Sequence, residues 1–305
     1  LHVVRAGSGD DGRPVSGRGP LGRLRERFLS DEPAARARRM AIVNRFARAS
    51  VLGDGPAVTL TSRSERAGRA FVTIETIAKG TRKPSELILW LDDPALVARP
   101  PASLRRLMRR GLQVRLAENL GPHTKYFPYL LSRDAFDRPL VTADDDMLYP
   151  IDWLAELAAA AAAHPEDIVC HRARHVQMVD GAIGPYLTWP LVGTTDPSPL
   201  HCATGVSGVA YPPTFLAELK ARGEGFRSRA PRADDIWLHA AAVGAGRRIR
   251  QVAVEARNYP TVPDTQEHAL QDENVLGGGN DVQIAAAYEP EEVARLAAAW
   301  EAEGR

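Results

Sequence analysis

Pro139–Pro150 reads PLVTADDDMLYP. A short apolar run ends abruptly in three consecutive aspartates, Asp144, Asp145 and Asp146. A run of this kind suits a strand covered on both faces, as parallel strands are. Side chains alternate along a strand, so Asp144 and Asp146 are expected to point the same way. Two carboxylates converging at a strand end are costly unless a cation or protons offset their repulsion. A hard divalent ion meets that need. Magnesium and manganese take one or two carboxylates and complete their shell from substrate phosphates. The plain alternative is a solvated acidic turn.

The same texture recurs on both sides of this stretch. AVTLT (57–61), LILWL (87–91) and LQVRL (112–116) precede it, and DIVCH (167–171) follows. Helical patterns lie between them. Ala67, Ala70, Phe71, Ile74, Ile77 and Ala78 recur at helical spacing, with Ser62 and Glu65 spaced as a capping box and Gly80 and Pro84 as stops. Further helices are expected over 102–110, closed by Gly111, over 124–133, and from Pro150 to about 163, where LAELAAAAAAHP reads as a core helix. Strands alternating with helices predict an α/β fold with a largely parallel sheet and helices on its faces. Ligands in such sheets bind outside the carboxyl ends of the strands. That rule selects TSRSER (61–66), LDD (91–93) and DDD (144–146).

Beyond residue 172 the pattern loosens into Gly-, Pro- and Thr-rich segments to about 230, expected as loops and short strands. PRADDIWLHAAAVGAG (231–246) then predicts a helix, RRIRQVAV (247–254) a strand, QEHALQDENVLGGGND (266–281) a polar loop and EPEEVARLAAAWEAEGR (289–305) a terminal helix. At the other end, residues 1–20 lack periodicity and are expected to be disordered. Residues 21–50 place many arginines among spaced apolar residues, interrupted by Pro33. They read as basic amphipathic helix packed on the main domain, or as a patch touching anionic lipid. The expected division is a basic extension over 1–55, the α/β domain over 56–288 and a terminal helix over 289–305.

The chain has 305 residues, with 39 Lys plus Arg against 38 Asp plus Glu, a net charge of +1. That balance excludes a general polyanion binder, so no nucleic-acid partner is expected. Two cysteines, Cys170 and Cys202, make neither a disulfide framework nor a four-cysteine zinc site. They are expected as buried thiols in a reducing compartment. No apolar run reaches the length of a membrane span, and LHVVRAGSGDDG lacks the apolar core of a signal peptide, so a cytoplasmic location is expected.

Thr61, Arg63 and Arg66 stand at the first strand end, where a helix amino end and guanidinium groups together favour an anion. Asp92 and Asp93 stand at the second, placed to accept hydrogen bonds from a ribose or base edge, or to make a turn. Lys125, one of four lysines in an arginine-rich chain, is suited to neutralise a diphosphate. His123 beside it reads as packing. Asp234 and Asp235 open a helix, where acids are favoured by its dipole, and either is placed to deprotonate an acceptor hydroxyl as general base. His171 and His175 have metal spacing only on a helix, and DIVCHRARH reads as strand. Nothing orients His201 and Cys202 as a nucleophilic pair.

These segments together resemble GT-A glycosyltransferases. The strings LGPHTKY, DDDMLYPIDWL, CHRAR, TGVSGVAYPP, ADDIWL and GGGND, in this order, resemble bacterial family-2-like transferases of surface-polysaccharide, LPS and capsule gene clusters, over roughly 57–285. The resemblance implies the GT-A nucleotide-diphospho-sugar transferase fold, which is Rossmann-like. It implies a nucleotide-sugar donor, a UDP-sugar foremost, and transfer dependent on Mn2+ or Mg2+ to a cell-surface glycan or lipid-linked acceptor. It implies that Asp146 holds the metal, with Asp144 at ribose or metal-bound water. Asp145, Arg66, Arg63, Thr61, Asp92, Asp93 and Lys125 would line the donor site. Thr204, Gly205 and Gly208 would approach donor sugar or acceptor, and Asp235 or Asp234 the reacting centre. Asn280 and Asp281 carry over least firmly. Two other functions fit the same pattern: a sugar-phosphate nucleotidyltransferase, against which the glycine-poor TSRSERAG loop (61–68) argues, and an inactive binding or scaffold protein of this fold.

Overall fold

The computed structural model describes residues 31–265 and 278–304. β1 (Ala57–Thr61), β2 (Leu87–Leu91), β3 (Gln113–Leu116), β4 (Leu140–Thr142) and β5 (Ile168–Cys170) form at the apolar runs. They are followed by β6 (Ala173–His175), β7 (Met178–Val179), β8 (Ala182–Ile183), β9 (His201–Ala203), β10 (Val209–Tyr211) and β11 (Ile249–Gln251). Seven strands share one sheet in the order β11-β5-β10-β4-β1-β2-β3. β1 is parallel to β2 and to β4, β2 to β3, and β5 to β11. The fold is therefore α/β with a mostly parallel central sheet flanked by helices. Its exception is β10, which lies antiparallel between β4 and β5.

β2 shows why continuous apolar runs become interior strands. Ile88 and Trp90 enter the core of one face, with Phe215 and Trp237. Leu87, Leu89 and Leu91 enter the other, with Ile74 and Trp153. Each such side chain contributes about 1.5–3 kcal/mol by leaving water. Helices Phe71–Ala78 and Trp153–Ala163 cover the second face, and Pro213–Arg222 and Asp234–Gly244 the first. Pro290–Ala302 forms the expected terminal helix, with Leu296 buried.

Some local readings need correction. One helix was expected over 67–78, but a turn divides it into Ser64–Ala67 and Phe71–Ala78. The expected capping box is not formed: Arg63 occupies the N-cap position without a side-chain cap. The Ser62 hydroxyl instead donates to buried Asp145 Oδ2. A hydrogen bond to a charged, desolvated acceptor is stronger than one to a neutral backbone group. Pro33 does not interrupt a helix but starts one, Pro33–Phe46, in the first turn where its missing N–H costs nothing. That helix packs on the domain through Met40 against Val72, Leu148 and Val262. Asn44 Nδ2 donates to Glu75 Oε1 at 2.9 Å. The end of the expected polar loop is helical, Gly279–Ala287, while 266–277 and the expected disorder of 1–20 lie outside the described residues. Among the described residues no helix is long and apolar enough to cross a membrane.

Candidate active site

The chain passes from β1 to β2 on one side, and β4 returns on the other side of β1. Neighbouring parallel strands that lead away in opposite directions leave a crevice at their carboxyl ends. A cleft of about 1160 Å³ opens there, lined by Thr61–Arg66, Asp92, Lys125, Asp144–Met147, Thr204–Val206 and Pro231–Ile236, among others.

β4 ends at Thr142, so the aspartates occupy the turn after the strand and the expected alternation does not apply to them. Lys125 serves the first of them and Arg66 the other two. Asp144 Oδ1 accepts from Lys125 Nζ at 2.7 Å. Asp145 accepts from Ser62 and lies 3.0 Å from Arg66 Nη2. Asp146 Oδ2 accepts from Arg66 Nη1 at 2.9 Å. The protein's own cations thus offset the repulsion within the triplet. Burial pushes the Asp145 carboxyl up, against the pull of Arg66 and Ser62.

Lys125 ends the 3-10 turn Gly121–Lys125. Besides Asp144 it meets Asp234 Oδ2 at 3.2 Å. Burial opposes its charge, but Asp144, Asp234 and Asp235 outweigh burial and hold it protonated. Asp234 and Asp235 open helix Asp234–Gly244, as expected. Asp235 Oδ1 accepts from Gly205 N at 2.9 Å. Burial and then the Asp234 charge push the Asp235 carboxyl up to about 7, with Lys125 and the Gly205 N–H acting against them. A Cβ at Gly205 would crowd this carboxylate, standing 3.1 Å from Asp235 Oδ1 and 3.5 Å from Lys125 Nζ.

Of the residues expected at a donor site, Thr61, Arg63, Arg66, Asp92, Lys125, Asp144, Asp145, Asp146, Thr204 and Gly205 all line the cleft, as do Asp234 and Asp235. Asp92 accepts from Asn119 Nδ2 at 2.7 Å. Asp93 is placed otherwise. Its carboxylate caps helix Pro94–Ala98, accepting from Ala95 N at 2.7 Å and Leu96 N at 3.3 Å, and it is not among the lining residues. Gly208 is also off the cleft. Its φ is +97°, and a Cβ there would stand 2.6 Å from Trp153 Nε1. Asn280 lines the cleft, and Asp281 accepts from Tyr186 N at 2.7 Å.

Sequence reasoning assigned no role to Arg172, Arg174, Tyr186 or Tyr259, all of which line the cleft. The usable signal was the i, i+2 spacing of the arginines in HRARH, which puts both on one side of a strand. His123, His171 and His175 make structural contacts. His123 Nε2 meets Ala230 O at 2.7 Å, and burial holds this imidazole down to about 4, hence neutral. His171 faces Trp153 O, while His175 faces Glu303. Cys170 and Cys202 are buried free thiols, both pushed up by burial, Cys170 to about 12.

Among the described residues no three His, Cys, Asp or Glu side chains converge as a closed metal cage. The donor chemistry nonetheless fits a hard cation shared with a substrate. The Asp144 and Asp146 side chains are 28% and 13% exposed, against 3% for Asp145. Two accessible carboxylates are what magnesium or manganese takes from a protein when phosphates supply the rest.

No family model matches the sequence, and no curated protein matches it. Among solved structures the chain is similar to the mannosyltransferase PcManGT from Pyrobaculum calidifontis in complex with GDP-Man and Mn2+. The identity is 16% and the TM-score 0.45, over 88% of this chain and 81% of that one. It is similar to GalNAc-T7 with UDP, GalNAc and Mn2+, at 12% identity and TM-score 0.44, over 91% of this chain and 61% of that one. It is also similar to a CMP:2-keto-3-deoxy-manno-octonic acid synthetase complexed with CTP, at 11% identity and TM-score 0.42, over 65% of this chain and 89% of that one. Identities this low assign no role to any residue here.

Proposed function

We propose that the chain is a GT-A-type glycosyltransferase of bacterial surface-polysaccharide assembly. It would move a sugar from a nucleotide-diphosphate-sugar, a UDP-sugar foremost, to a hydroxyl of a glycan or lipid-linked acceptor. One observation carries this reading. At the switch point of a parallel sheet, a cleft joins an acidic turn, a charged buried lysine and a half-buried carboxyl poised near neutrality.

In this reading Asp144 and Asp146 hold a magnesium or manganese ion, which when bound supplies Lewis-acid compensation for charge on the leaving diphosphate. Arg66 and Arg63 face the phosphates from the loop after β1, and Asp92 the ribose or base edge. Lys125, fixed between Asp144 and Asp234, presents a preorganised positive charge that needs no rearrangement as negative charge develops. Asp235 takes the acceptor proton. The Gly205 N–H holds one carboxyl oxygen, and the other receives the proton as the hydroxyl attacks. A carboxyl pushed up toward neutrality is a better general base than an ordinary one.

The nucleotidyltransferase alternative is disfavoured because TSRSERAG (61–68) holds one glycine, Gly68, too few for a loop that cradles a triphosphate. An inactive scaffold has no use for a costly pair of adjacent carboxyls, one buried and one half-buried. Purified chain assayed with a panel of nucleotide sugars and manganese is expected to bind at least one donor and hydrolyse or transfer its sugar. Failure across the panel would sink the proposal, and pyrophosphate release from a nucleoside triphosphate with a sugar phosphate would favour the alternative.

We further infer peripheral contact with the inner face of the plasma membrane. Residues 33–50 hold five arginines and no acid. Helix Pro33–Phe46 exposes Arg38, Ile42, Arg45 and Phe46, with Ile42 47% and Phe46 66% exposed. A basic face carrying exposed apolar side chains suits an anionic bilayer surface.

A further inference from the structure

We propose that Arg172 and Arg174 form an anion subsite at the end of the cleft beyond Asp235, which takes a carboxylate or phosphate group carried by the acceptor. The word acceptor rests on the transferase reading; the anion subsite does not.

The two arginines flank Ala173 at the start of β6 and both line the cleft. Arg172 Nη1 donates to Thr204 Oγ1 at 2.8 Å, and Arg174 Nη1 donates to Trp189 O at 2.6 Å. Both contacts are to neutral acceptors. Among the described residues neither guanidinium makes an ion pair, whereas two other cations of the cleft, Arg66 and Lys125, each hold two carboxylates. The Nε atoms of Arg172 and Arg174 are buried and have no hydrogen-bond partner. Arg174 also lies over the Tyr186 ring, 5.3 Å from its centroid.

Two half-buried guanidinium groups side by side repel, and that repulsion is stronger away from bulk water. Burial, and after it the Arg174 charge, depress the Arg172 pKa. A group with two or three anionic oxygens would offset this repulsion, and guanidinium geometry matches such a group bidentately.

Position separates this subsite from the donor diphosphate. Arg172 is bonded to Thr204, and the next residue, Gly205, is bonded to Asp235. Asp235 in turn neighbours Asp234, which Lys125 links to Asp144 and the acidic turn. By contacts, the general base is thus joined to Arg172 through Thr204 and Gly205, and to the acidic turn through Asp234 and Lys125. An acceptor that gives its proton to Asp235 is expected within reach of the arginine pair. The substrate class follows: an acceptor whose sugar bears an acidic substituent, a uronate or a phosphate.

The test titrates the full chain, with and without saturating UDP or GDP and manganese, with glucuronate, glucose 6-phosphate and uncharged glucose. Arg172→Gln, Arg174→Gln and the double variant are compared with lysine replacements at both positions, after melting curves confirm folding. The expected result is at least tenfold tighter binding of an anionic sugar than of glucose. The Gln variants should lose that preference, the Lys variants keep part of it, and nucleotide affinity should change less than twofold. Equal binding of charged and uncharged sugars, or an unchanged preference in the double Gln variant, overturns the proposal. Loss of nucleotide affinity in the Gln variants also overturns it, because the pair would then serve the donor. Arginine-dependent anion binding by a chain that takes up no nucleotide would uphold the subsite and sink the transferase reading.

Discussion

Lys125 Nζ donates to Asp144 Oδ1 at 2.7 Å and so ties the turn after β4 to the 3-10 turn Gly121–Lys125. The lysine is 9% exposed and also serves Asp234. Removing one partner of a buried ion pair leaves uncompensated charge, at about 3–5 kcal/mol. Lys125→Met is expected to lower unfolding stability by about 3 kcal/mol at pH 7 in urea titration. The loss should shrink near pH 5, where Asp235 is protonated and fewer charges are stranded. Unchanged stability would mean that the lysine charge is not what holds these carboxylates together.

Asp235 gives a pH signature of known sign. Its carboxyl, at about 7, holds its proton more tightly in the folded chain than an unfolded aspartate does. Asp235 thus makes stability fall as pH rises from about 4 toward 7, and its cost is complete above 7. As a general base it makes transfer rise with pH over the upper part of that window. Asp235→Asn should flatten the stability fall and reduce the transfer rate by about 10²-fold or more. A variant with an unaltered pH–stability curve would show that Asp235 does not carry the raised carboxyl.

Gly208 is required by backbone and by space together. Its φ of +97° disfavours any L side chain, and the Trp153 indole fills the position of a Cβ. Trp153 Nε1 in turn donates to Ser207 O at 2.8 Å. Gly208→Ala is expected to cost about 2 kcal/mol or more, summing left-handed strain and overpacking. Thermal unfolding checks this, and a variant as stable as the parent would contradict the packing described.

Membrane contact predicts a charge dependence. The full chain should sediment with vesicles containing phosphatidylserine and not with purely zwitterionic ones, and salt should release it. Each exposed arginine contributes about 1 kcal/mol near an anionic surface. Replacing Arg38, Arg45 and Arg48 by Gln should therefore weaken binding about a hundredfold. Equal binding by the triple variant would remove this helix from the contact.

Much of the sheet was legible because β1, β2, β4 and β5 are continuous apolar runs separated by helical patterns, and burial on both faces demands such runs. β10 was not, since Val209–Tyr211 is three residues set between glycines and prolines. Only pairing with β4 and β5 makes it an interior strand. The acidic turn, Lys125 and the Asp234–Asp235 pair were legible as charges at strand and helix ends. What each charge meets was not. Asp92 and Asp93 are adjacent and chemically alike, yet one lines the cleft and the other caps a helix. Arg172 and Arg174 offered only their i, i+2 spacing, a weak signal in a chain so rich in arginine, because what sets them apart is a place in the cleft with no ion-pair partner. That is a property of the folded arrangement and not of any stretch of sequence.

The central claim is that the acidic turn after β4 closes a metal-dependent nucleotide-sugar site. Calorimetric titration of UDP and GDP into the full chain, with manganese and then with EDTA, beside Asp146→Asn, tests it most directly. The account predicts saturable binding of one nucleotide with manganese, weakened at least tenfold by EDTA and by the substitution. A folded chain that binds neither nucleotide at millimolar concentration, or binds one equally well with EDTA and in the variant, would contradict it.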